Sequence, residues 1–161
     1  MKKARFFLLA TVIFIQSLVN AACVPKPLTI AGDSMSPFLK NGDVIFVRVT
    51  TEEIRRGEVV YMTQPKENYP MVARVIGLPG EEILIKENKA YVDGQLLDEP
   101  YVLPENNLER LKEGVYRVNP EHYFVLSDNR DNSLDSRYFG VVGRDLIPAR
   151  YHSTYKKADE K

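Results

Sequence analysis

A series of short apolar runs, each followed by a glycine or proline turn, restricts the fold of this chain more than any other feature. None of the runs between residues 44 and 151 exceeds six residues, a length typical of strands rather than helices. Asp93-Gly94 is a turn signal of two-residue hairpins, in which both central residues need positive φ. The pattern predicts an all-β fold, either a small barrel or packed sheets.

The predicted strands are closely spaced and cover residues 44–49, 58–62, 71–76, 83–86, 90–92, 123–126, 141–142 and 147–151. Residues 106–113 are predicted to form either one short helix or an exposed loop. Because 44% of the 161 residues are hydrophobic, the chain can form one compact domain with a substantial core.

The amino-terminal segment has a different character. Basic residues precede an apolar stretch, residues 6–24, whose length approaches the ~20 residues that a helix needs to cross a bilayer. This arrangement predicts either a cleaved signal peptide or a retained signal anchor that contacts membrane lipid. The basic residues place the amino terminus in the cytoplasm and the remainder outside, in a single-pass protein of the cytoplasmic membrane. The predicted organisation is residues 1–24 as the signal segment, 25–152 as the β domain and 153–161 as a polar tail.

The chain has one cysteine, Cys23, which excludes an internal disulfide and a multi-cysteine metal site. Ala21-Ala22-Cys23 resembles a lipoprotein cleavage site, in which Cys23 would carry a lipid. A lone cysteine in an apolar segment is otherwise an inert small hydrophobe, so both interpretations stay open.

The charge balance excludes one further class of partner. The 22 basic and 22 acidic residues cancel, which argues against a nucleic-acid partner held by phosphate contacts. Two histidines leave little for a zinc site. We therefore expect no metal and no cofactor.

A polar serine turn, residues 32–37 (Gly-Asp-Ser-Met-Ser-Pro), lies between two apolar runs. Gly32 permits a backbone conformation or a close approach that a side chain would prevent. Pro37 stops the stretch from continuing as a regular strand. The turn can present the Ser34 hydroxyl to a bound molecule, although the same residues also fit an ordinary serine-rich turn.

Two further stretches decide between these interpretations. The serine turn resembles the nucleophile box of the type I signal peptidases, which are membrane-anchored serine peptidases with a Ser-Lys dyad. Residues 74–80 (Arg-Val-Ile-Gly-Leu-Pro-Gly) resemble the box that follows the general base of that family. Residues 128–137 resemble its last box almost residue for residue. The resemblance extends from about residue 4 to residue 150.

The resemblance implies a role for each matching position. Ser34 would be the nucleophile, with Met35 beside it in the substrate cleft and backbone N–H groups near Ser34 meeting the oxyanion. Ser133 would steady the base through its hydroxyl, and an ion pair between Asp135 and Arg137 would support the site. The remaining supporting positions are Gly32, Pro37, Arg74, Asp128, Asn129 and Arg130. The implied partners are exported preproteins or their signal peptides, bound as extended chains with small residues before the scissile bond.

Ala73 occupies the position of the general-base lysine in that family. A serine hydroxyl attacks an amide only if a neighbouring group accepts its proton, and a methyl group cannot. Arg74 cannot replace the lysine, because its guanidinium stays charged and strand alternation directs it to the opposite face. Ser127, where the family usually has glycine, and Phe38, where it usually has threonine, are two further departures.

Three explanations of Ala73 remain. The chain is a degenerate relative that binds peptides without cutting them, an active peptidase with a base from elsewhere, or a deliberately inactivated form. Three residues could be considered as a base from elsewhere, and the sequence disfavours each of them: Lys66 is in a polar loop that would not lower its pKa, Lys40 lies on the serine turn itself, and His122 is expected to be a surface histidine. The first explanation would make the protein a non-catalytic, membrane-anchored assembly factor.

Overall fold

A computed structural model describes residues 24–106, 112–131 and 133–155. Eleven strands form two antiparallel sheets in this part of the chain, which confirms the all-β prediction. The strands are β1 Lys26–Thr29, β2 Val44–Val49, β3 Val59–Thr63, β4 Pro70–Gly77, β5 Glu82–Lys86, β6 Lys89–Val92, β7 Gln95–Leu96, β8 Gly114–Arg117, β9 His122–Leu126, β10 Val142–Gly143 and β11 Ala149–Tyr155. One short helix, α1, spans Ser136–Phe139, and 3-10 turns span Pro104–Asn106 and Arg144–Leu146.

The larger sheet has the strand order β1-β2-β11-β3-β4-β9-β10, and the smaller has the order β7-β6-β5-β8. Strand β4 is apolar along most of its length because both of its faces are covered. Ala73 and Val75 pack in one core cluster, whereas Ile76 packs in a second one together with β5 of the smaller sheet. Val72 borders a third cluster, which lies under the serine turn. The two sheets therefore meet around β4.

The hairpin predicted at Asp93-Gly94 is confirmed. Asp93 has a φ of 48° and Gly94 a φ of 79°, and Val92 pairs with Gln95 across the turn. Both central residues thus have the left-handed conformation that a two-residue hairpin of this kind requires.

The structure differs from the predicted elements in four places. Strand β1, Lys26–Thr29, was not among the predicted strands. Residues 114–117 form β8, which has few apolar residues and gave no strand signal. Of the segment predicted as a helix or loop, residues 107–111 lie outside the described residues. Helix α1 begins at Ser136, near the end of the last family box, and ends at Phe139, where no helix was predicted. Strand β11 continues to Tyr155, so residues 153–155 belong to the sheet rather than to the tail.

The predicted signal segment, except for Val24, lies outside the described residues, as do Cys23 and residues 156–161. Within the part of the chain that the structure describes, no helix has the length and apolar character needed to cross a bilayer.

Candidate active site

The serine turn connects β1 to β2 and rests on an apolar cluster. Gly32 has a φ of +88°, and a Cβ at this position would meet no atom within 4 Å. Of the two roles that the sequence left open for Gly32, the structure therefore shows backbone conformation rather than close approach. Met35 is 1% exposed and packs with Ile30 and Leu39. This corrects the expectation that Met35 lies in the cleft: its apolar side chain points into the core.

Asn129 joins the serine turn to the polar loop after β9. Its backbone N–H donates to the Ser34 carbonyl at 2.9 Å, and its side-chain amide donates to the Asp33 carbonyl at 3.3 Å. Asn41 closes the other side of the turn, where its Oδ1 accepts from the Gly32 N–H at 3.0 Å. The two Asn129 bonds hold the backbone of Asp33 and Ser34 against a segment that is almost a hundred residues away in the sequence.

The Asp135–Arg137 ion pair is present and fully buried. Arg137 Nε and Asp135 Oδ1 are 2.8 Å apart, and neither side chain is exposed. Ser133 Oγ donates to Asp135 Oδ2 at 3.0 Å and accepts from Arg137 Nη2 at 2.8 Å. Asp135 is also the N-cap of α1, where its Oδ1 accepts from the Arg137 N–H. The ion pair thus fixes both the short helix and the Ser133 hydroxyl.

Arg74 forms a second buried ion pair, with Asp128. The guanidinium donates to both carboxylate oxygens, at 2.8 and 2.5 Å, and to the Gly57 carbonyl at 2.8 Å. It lies over the rings of Tyr101, at 4.2 Å from the centroid, and Phe38, at 5.0 Å. Burial raises the pKa of the Asp128 carboxyl, and the Arg74 guanidinium opposes this rise. Arg74 therefore links β4 to the polar loop and to the serine turn.

Arg130 pairs with a residue that the sequence did not single out. Its guanidinium contacts both carboxylate oxygens of Glu99, and its Nε donates to the Ser127 carbonyl at 3.1 Å. Burial and the Glu99 carboxylate raise the pKa of the Tyr101 hydroxyl, which stays neutral and donates to Glu99. Neither Glu99 nor Tyr101 has a local sequence signal, because the ionic partner of Glu99 is 31 positions away.

A cavity of about 650 Å³, the Ser34 cavity, lies beside the serine turn. It brings together the edge strand β1, the start of β4 and the polar loop. Three serines line it, Ser34, Ser127 and Ser133, and several of the other lining residues are apolar. Among the described lining residues, Asp131 carries the only formal charge. The cavity can accept a largely apolar chain with its backbone next to hydroxyl groups.

Residues 2–155 match the family model described as signal peptidase, peptidase S26. The chain belongs to the signal peptidase family. Signal peptidase I S of Bacillus subtilis is 37% identical over 124 residues, which cover 69% of this chain and 65% of that protein. The chain thus spans a little less than two thirds of the length of that relative. Signal peptidase IB of Staphylococcus aureus is 35% identical over 157 residues, which cover 84% of this chain and 80% of that one.

A crystal structure of a signal peptidase I from Enterococcus faecalis has a similar fold. Its TM-score is 0.56 at 26% sequence identity, over 63% of this chain and 98% of that one. The all-β architecture around the Ser34 cavity is therefore the signal peptidase fold.

In this signal peptidase fold, Ala73 is fully buried in the main core cluster, on the face of β4 opposite to Arg74. The β4–β9 register pairs Arg74 with Leu126 and Val75 with Val125. Continuing this register by one residue places Ser127 directly across from Ala73. Side chains at directly opposed positions of antiparallel strands lie on the same face of the sheet. The Ser127 side chain therefore shares a face with the Ala73 methyl group.

None of the three alternative bases lines the Ser34 cavity in the described part of this signal peptidase chain. Lys66 Nζ donates to the Tyr138 carbonyl at 3.1 Å. His122 lies in a separate depression, where its Nδ1 is 2.7 Å from the Pro120 carbonyl oxygen. Lys40 is exposed on the serine turn. The described lining of the cavity contains neither an amine nor an imidazole.

Phe38 has a packing role that the family's usual threonine could not fill. Its ring contacts the Arg74 guanidinium and meets the Tyr151 ring edge-on at 5.2 Å. We expect Phe38→Ala to lower the free energy of unfolding by about 1–2 kcal/mol, because both ring contacts are lost. Urea denaturation measures the change, and Phe38→Tyr, which keeps the ring, is the control. An unchanged midpoint in Phe38→Ala would show that the ring contributes nothing.

Proposed function

We propose that this protein is a signal peptidase I-like protein that binds signal peptides of exported preproteins at the extracytoplasmic surface of the cytoplasmic membrane, with Ser34 as the nucleophile position. The Ser34 cavity carries this proposal, because it joins the family's serine boxes to the exposed edge of a strand. Among the described strands, β1 pairs with β2 alone, and its residues Leu28 and Thr29 line the cavity. An extended peptide can add to this edge through backbone hydrogen bonds.

The apolar walls favour small, apolar side chains in the bound peptide. Ile30, Met71 and Val72 line the cavity beside the β1 edge. They offer dispersion contacts but no charged partner, so alanine-like residues before the scissile bond fit this lining. Residues 6–24 would hold the domain at the lipid surface, on the extracytoplasmic side.

Cleavage is the step that this chain is poorly equipped to perform. Attack by Ser34 Oγ on the scissile carbonyl requires transfer of the hydroxyl proton, and backbone N–H groups near Ser34 stabilise the oxyanion that forms. Ala73 cannot accept the proton, and the described cavity lining offers no amine in its place. Loss of a catalytic base costs serine peptidases on the order of 10⁶-fold in turnover. The unsubstituted chain is therefore a strongly impaired peptidase.

The matching experiment compares the full-length chain with its Ser34→Ala variant in detergent micelles. Both proteins are given a preprotein for cleavage and a fluorescent signal peptide for binding. We expect the two affinities to agree within about tenfold, because the net contribution of a hydrogen bond from one hydroxyl is about 0.5–1.5 kcal/mol. We expect neither to cleave measurably. Turnover that disappears in Ser34→Ala would contradict the impaired state and reveal another base.

The same lack of a base favours a second candidate function, that of a non-catalytic assembly factor that holds an exported chain for another enzyme. Ala31, an exposed residue of the cavity lining, provides the variant that separates peptide binding from catalysis. Ala31→Trp would place a large ring in the cavity and leave the Ser34 hydroxyl in the chain. Peptide binding that survives Ser34→Ala but not Ala31→Trp supports a holding role, whereas equal binding by both variants places the peptide elsewhere.

A further inference from the structure

The outer face of the smaller sheet carries a row of apolar side chains. The other face of this sheet packs in the second core cluster, to which β5 contributes Ile83 and Ile85 and β6 contributes Ala90. Because successive side chains of a strand point to opposite faces, the residues between these point away from that cluster. The strand register aligns four outward residues directly across β7, β6, β5 and β8, and we call them the apolar row: Leu96, Tyr91, Leu84 and Val115.

The apolar row is exposed at both of its ends. Leu96 and Val115 are 57% and 58% exposed, and Tyr91 and Leu84 are half-buried. Neighbouring strands are about 4.8 Å apart, so the row is roughly 15 Å long. The solvated face of an antiparallel sheet is normally polar, and a continuous exposed apolar row is a feature of interaction surfaces.

One flank of the apolar row is mainly basic. Lys89 of β6 pairs with Lys86 of β5, two residues along the strands from the row. Continuing the β5–β8 register by one residue places Glu113 beside Lys86. The Glu87 N–H donates to Glu113 Oε1 at 3.2 Å, which agrees with this placement. From β6 to β8, the charges of this flank are therefore positive, positive and negative.

The opposite flank is mainly acidic. Asp93 follows β6 and lies directly across from Glu82 of β5: its N–H donates to the Glu82 carbonyl, and its Oδ1 accepts from the Glu82 N–H, both at 2.9 Å. Arg117 of β8 pairs with Glu82, and its Nε is 3.3 Å from Glu82 Oε2. From β6 to β8, the charges of this flank are negative, negative and positive. The two flanks therefore have opposite signs on each of these three strands.

Ion pairs within the chain leave most of these charged groups in contact with solvent. Lys86 Nζ is 3.8 Å from Glu87 Oε1, and the two side chains are 58% and 70% exposed. In the Arg117–Glu82 pair, the exposed fractions are 85% and 49%. Exposed pairs of this kind contribute little. They do not prevent the same groups from pairing with opposite charges on another surface.

We propose that the outer face of the smaller sheet binds a second copy of this chain, with a two-fold axis parallel to the apolar row. Rotation by half a turn about this axis keeps the apolar rows of the two copies in contact and exchanges their flanks. Two sheets that pack face to face are about 10 Å apart, a distance that a lysine and a glutamate can bridge together. The opposed pairs are Lys89 with the partner's Asp93, Lys86 with the partner's Glu82, and Glu113 with the partner's Arg117.

The charge pattern favours a second copy over a lipid surface. The two flanks together contain three basic residues and three acidic ones, so their charges cancel. An anionic membrane would attract one flank and repel the other. A copy of the same face is complementary to both flanks at once, and each opposed pair occurs twice because of the two-fold symmetry.

The size of the face indicates a weak dimer. Four strands of about five residues cover roughly 19 Å by 16 Å, or about 300 Å² in projection. A standard interface buries about 800 Å² on each partner. We therefore expect a Kd of about 10–100 µM. The described lining of the Ser34 cavity includes no residue of the smaller sheet, so this inference goes beyond the proposed function and does not depend on it.

The test is sedimentation equilibrium of the full-length chain in density-matched detergent micelles, at protein concentrations from about 5 to about 500 µM, which bracket the expected Kd. We expect a monomer–dimer equilibrium. Raising the salt from about 50 mM to about 500 mM should raise the Kd at least about threefold, because salt screens the exposed ion pairs. A chain that stays monomeric over the whole range at low salt would overturn the proposal.

A pair of valine variants tests the apolar row. Val115→Lys should raise the Kd about tenfold or more, because each copy would place an ammonium against the apolar row of its partner. Val49→Lys is the matched control, since Val49 is 51% exposed but lies on β2 of the larger sheet. It should leave the Kd unchanged. Equal dimerisation of the two variants would place the interface elsewhere and overturn the assigned face.

Charge reversal tests the predicted axis. Glu82→Lys and Lys86→Glu should each raise the Kd about tenfold, because residues 82 and 86 of opposed copies then carry like charges at both symmetry-related contacts. An equimolar mixture of the two variants should dimerise within about threefold of the unsubstituted chain, because both contacts of the mixed pair are attractive. Since each variant is its partner's positive control for folding, failure of the mixture to associate would contradict the two-fold arrangement.

Two further measurements separate the remaining outcomes. If the chain is monomeric and Val115→Lys weakens its binding to anionic phospholipid vesicles, a lipid surface covers the apolar row and the proposal fails. Val115→Lys should bind a fluorescent signal peptide as the unsubstituted chain does. Failure of dimerisation with normal peptide binding would therefore leave the proposed function intact, whereas loss of peptide binding in Val115→Lys alone would contradict the separation of this face from the Ser34 cavity.

Discussion

The Ala73→Lys variant is expected to cleave an exported preprotein at least about a thousandfold faster than the unsubstituted chain. The physical reason is the position of residue 73, which is fully buried on the face of β4 that it shares with Ser127. Burial disfavours a charged amine and lowers the lysine pKa, so a neutral amine becomes available as a proton acceptor. The rate of the variant should rise with pH as this amine loses its proton.

Ala73→Met is the matched control for the lysine variant, because methionine has a similar length but no proton acceptor. Both substitutions enlarge a buried side chain, which costs about 1–3 kcal/mol of stability. Because burial lowers the pKa of the lysine, Ala73→Lys should unfold at a lower temperature than Ala73→Met at neutral pH, and the difference should shrink as the pH rises. Cleavage should appear in Ala73→Lys alone and should vanish in the Ser34→Ala/Ala73→Lys double variant. If Ala73→Lys is folded but inactive, the double variants Ala73→Lys/Ser127→Gly and Ala73→Lys/Phe38→Thr identify which further departure blocks the site. Inactivity of Ala73→Lys and of both double variants would contradict the prediction.

Asp135→Ala is expected to destabilise the protein by about 3–5 kcal/mol, the cost of removing one partner from a buried ion pair. Arg137 would then keep its charge inside the protein, where neither partner of the pair is exposed. The substitution also removes the N-cap of α1 and the acceptor of the Ser133 hydroxyl. Because each kcal/mol shifts the melting temperature of a protein of this size by ~2–4 °C, we expect a fall of roughly 6–20 °C.

Arg117→Gln is the control for the buried pair. Arg117 forms an ion pair with Glu82 at 3.3 Å, but its side chain is 85% exposed. Such surface pairs contribute at most about 1 kcal/mol, so the melting temperature should change by less than about 4 °C. Equal melting temperatures of Asp135→Ala and the unsubstituted chain in scanning calorimetry would show that the Asp135–Arg137 pair does not support the site.

Local sequence patterns were sufficient for much of the fold. Short apolar runs predicted most strands because side chains alternate between two faces over a few residues. Asp93-Gly94 predicted a hairpin because the conformation of a two-residue turn depends on those residues alone. The family boxes similarly predicted the Asp135–Arg137 pair, whose members are two positions apart. Strand β8 was missed because its burial depends on the neighbouring strand β5 and not on its own composition.

The sequence by itself thus determined the all-β class, the family boxes and the identity of Ala73, since each of these is written within a few consecutive residues. Only the tertiary structure decided which distant groups meet: Arg74 with Asp128 across 54 positions, and Arg130 with Glu99 across 31. It also decided that Met35 is buried and that Ser127 lies opposite Ala73. The physical reason is that strand register and sheet order bring these groups together, and neither leaves a periodic signal in the neighbouring residues.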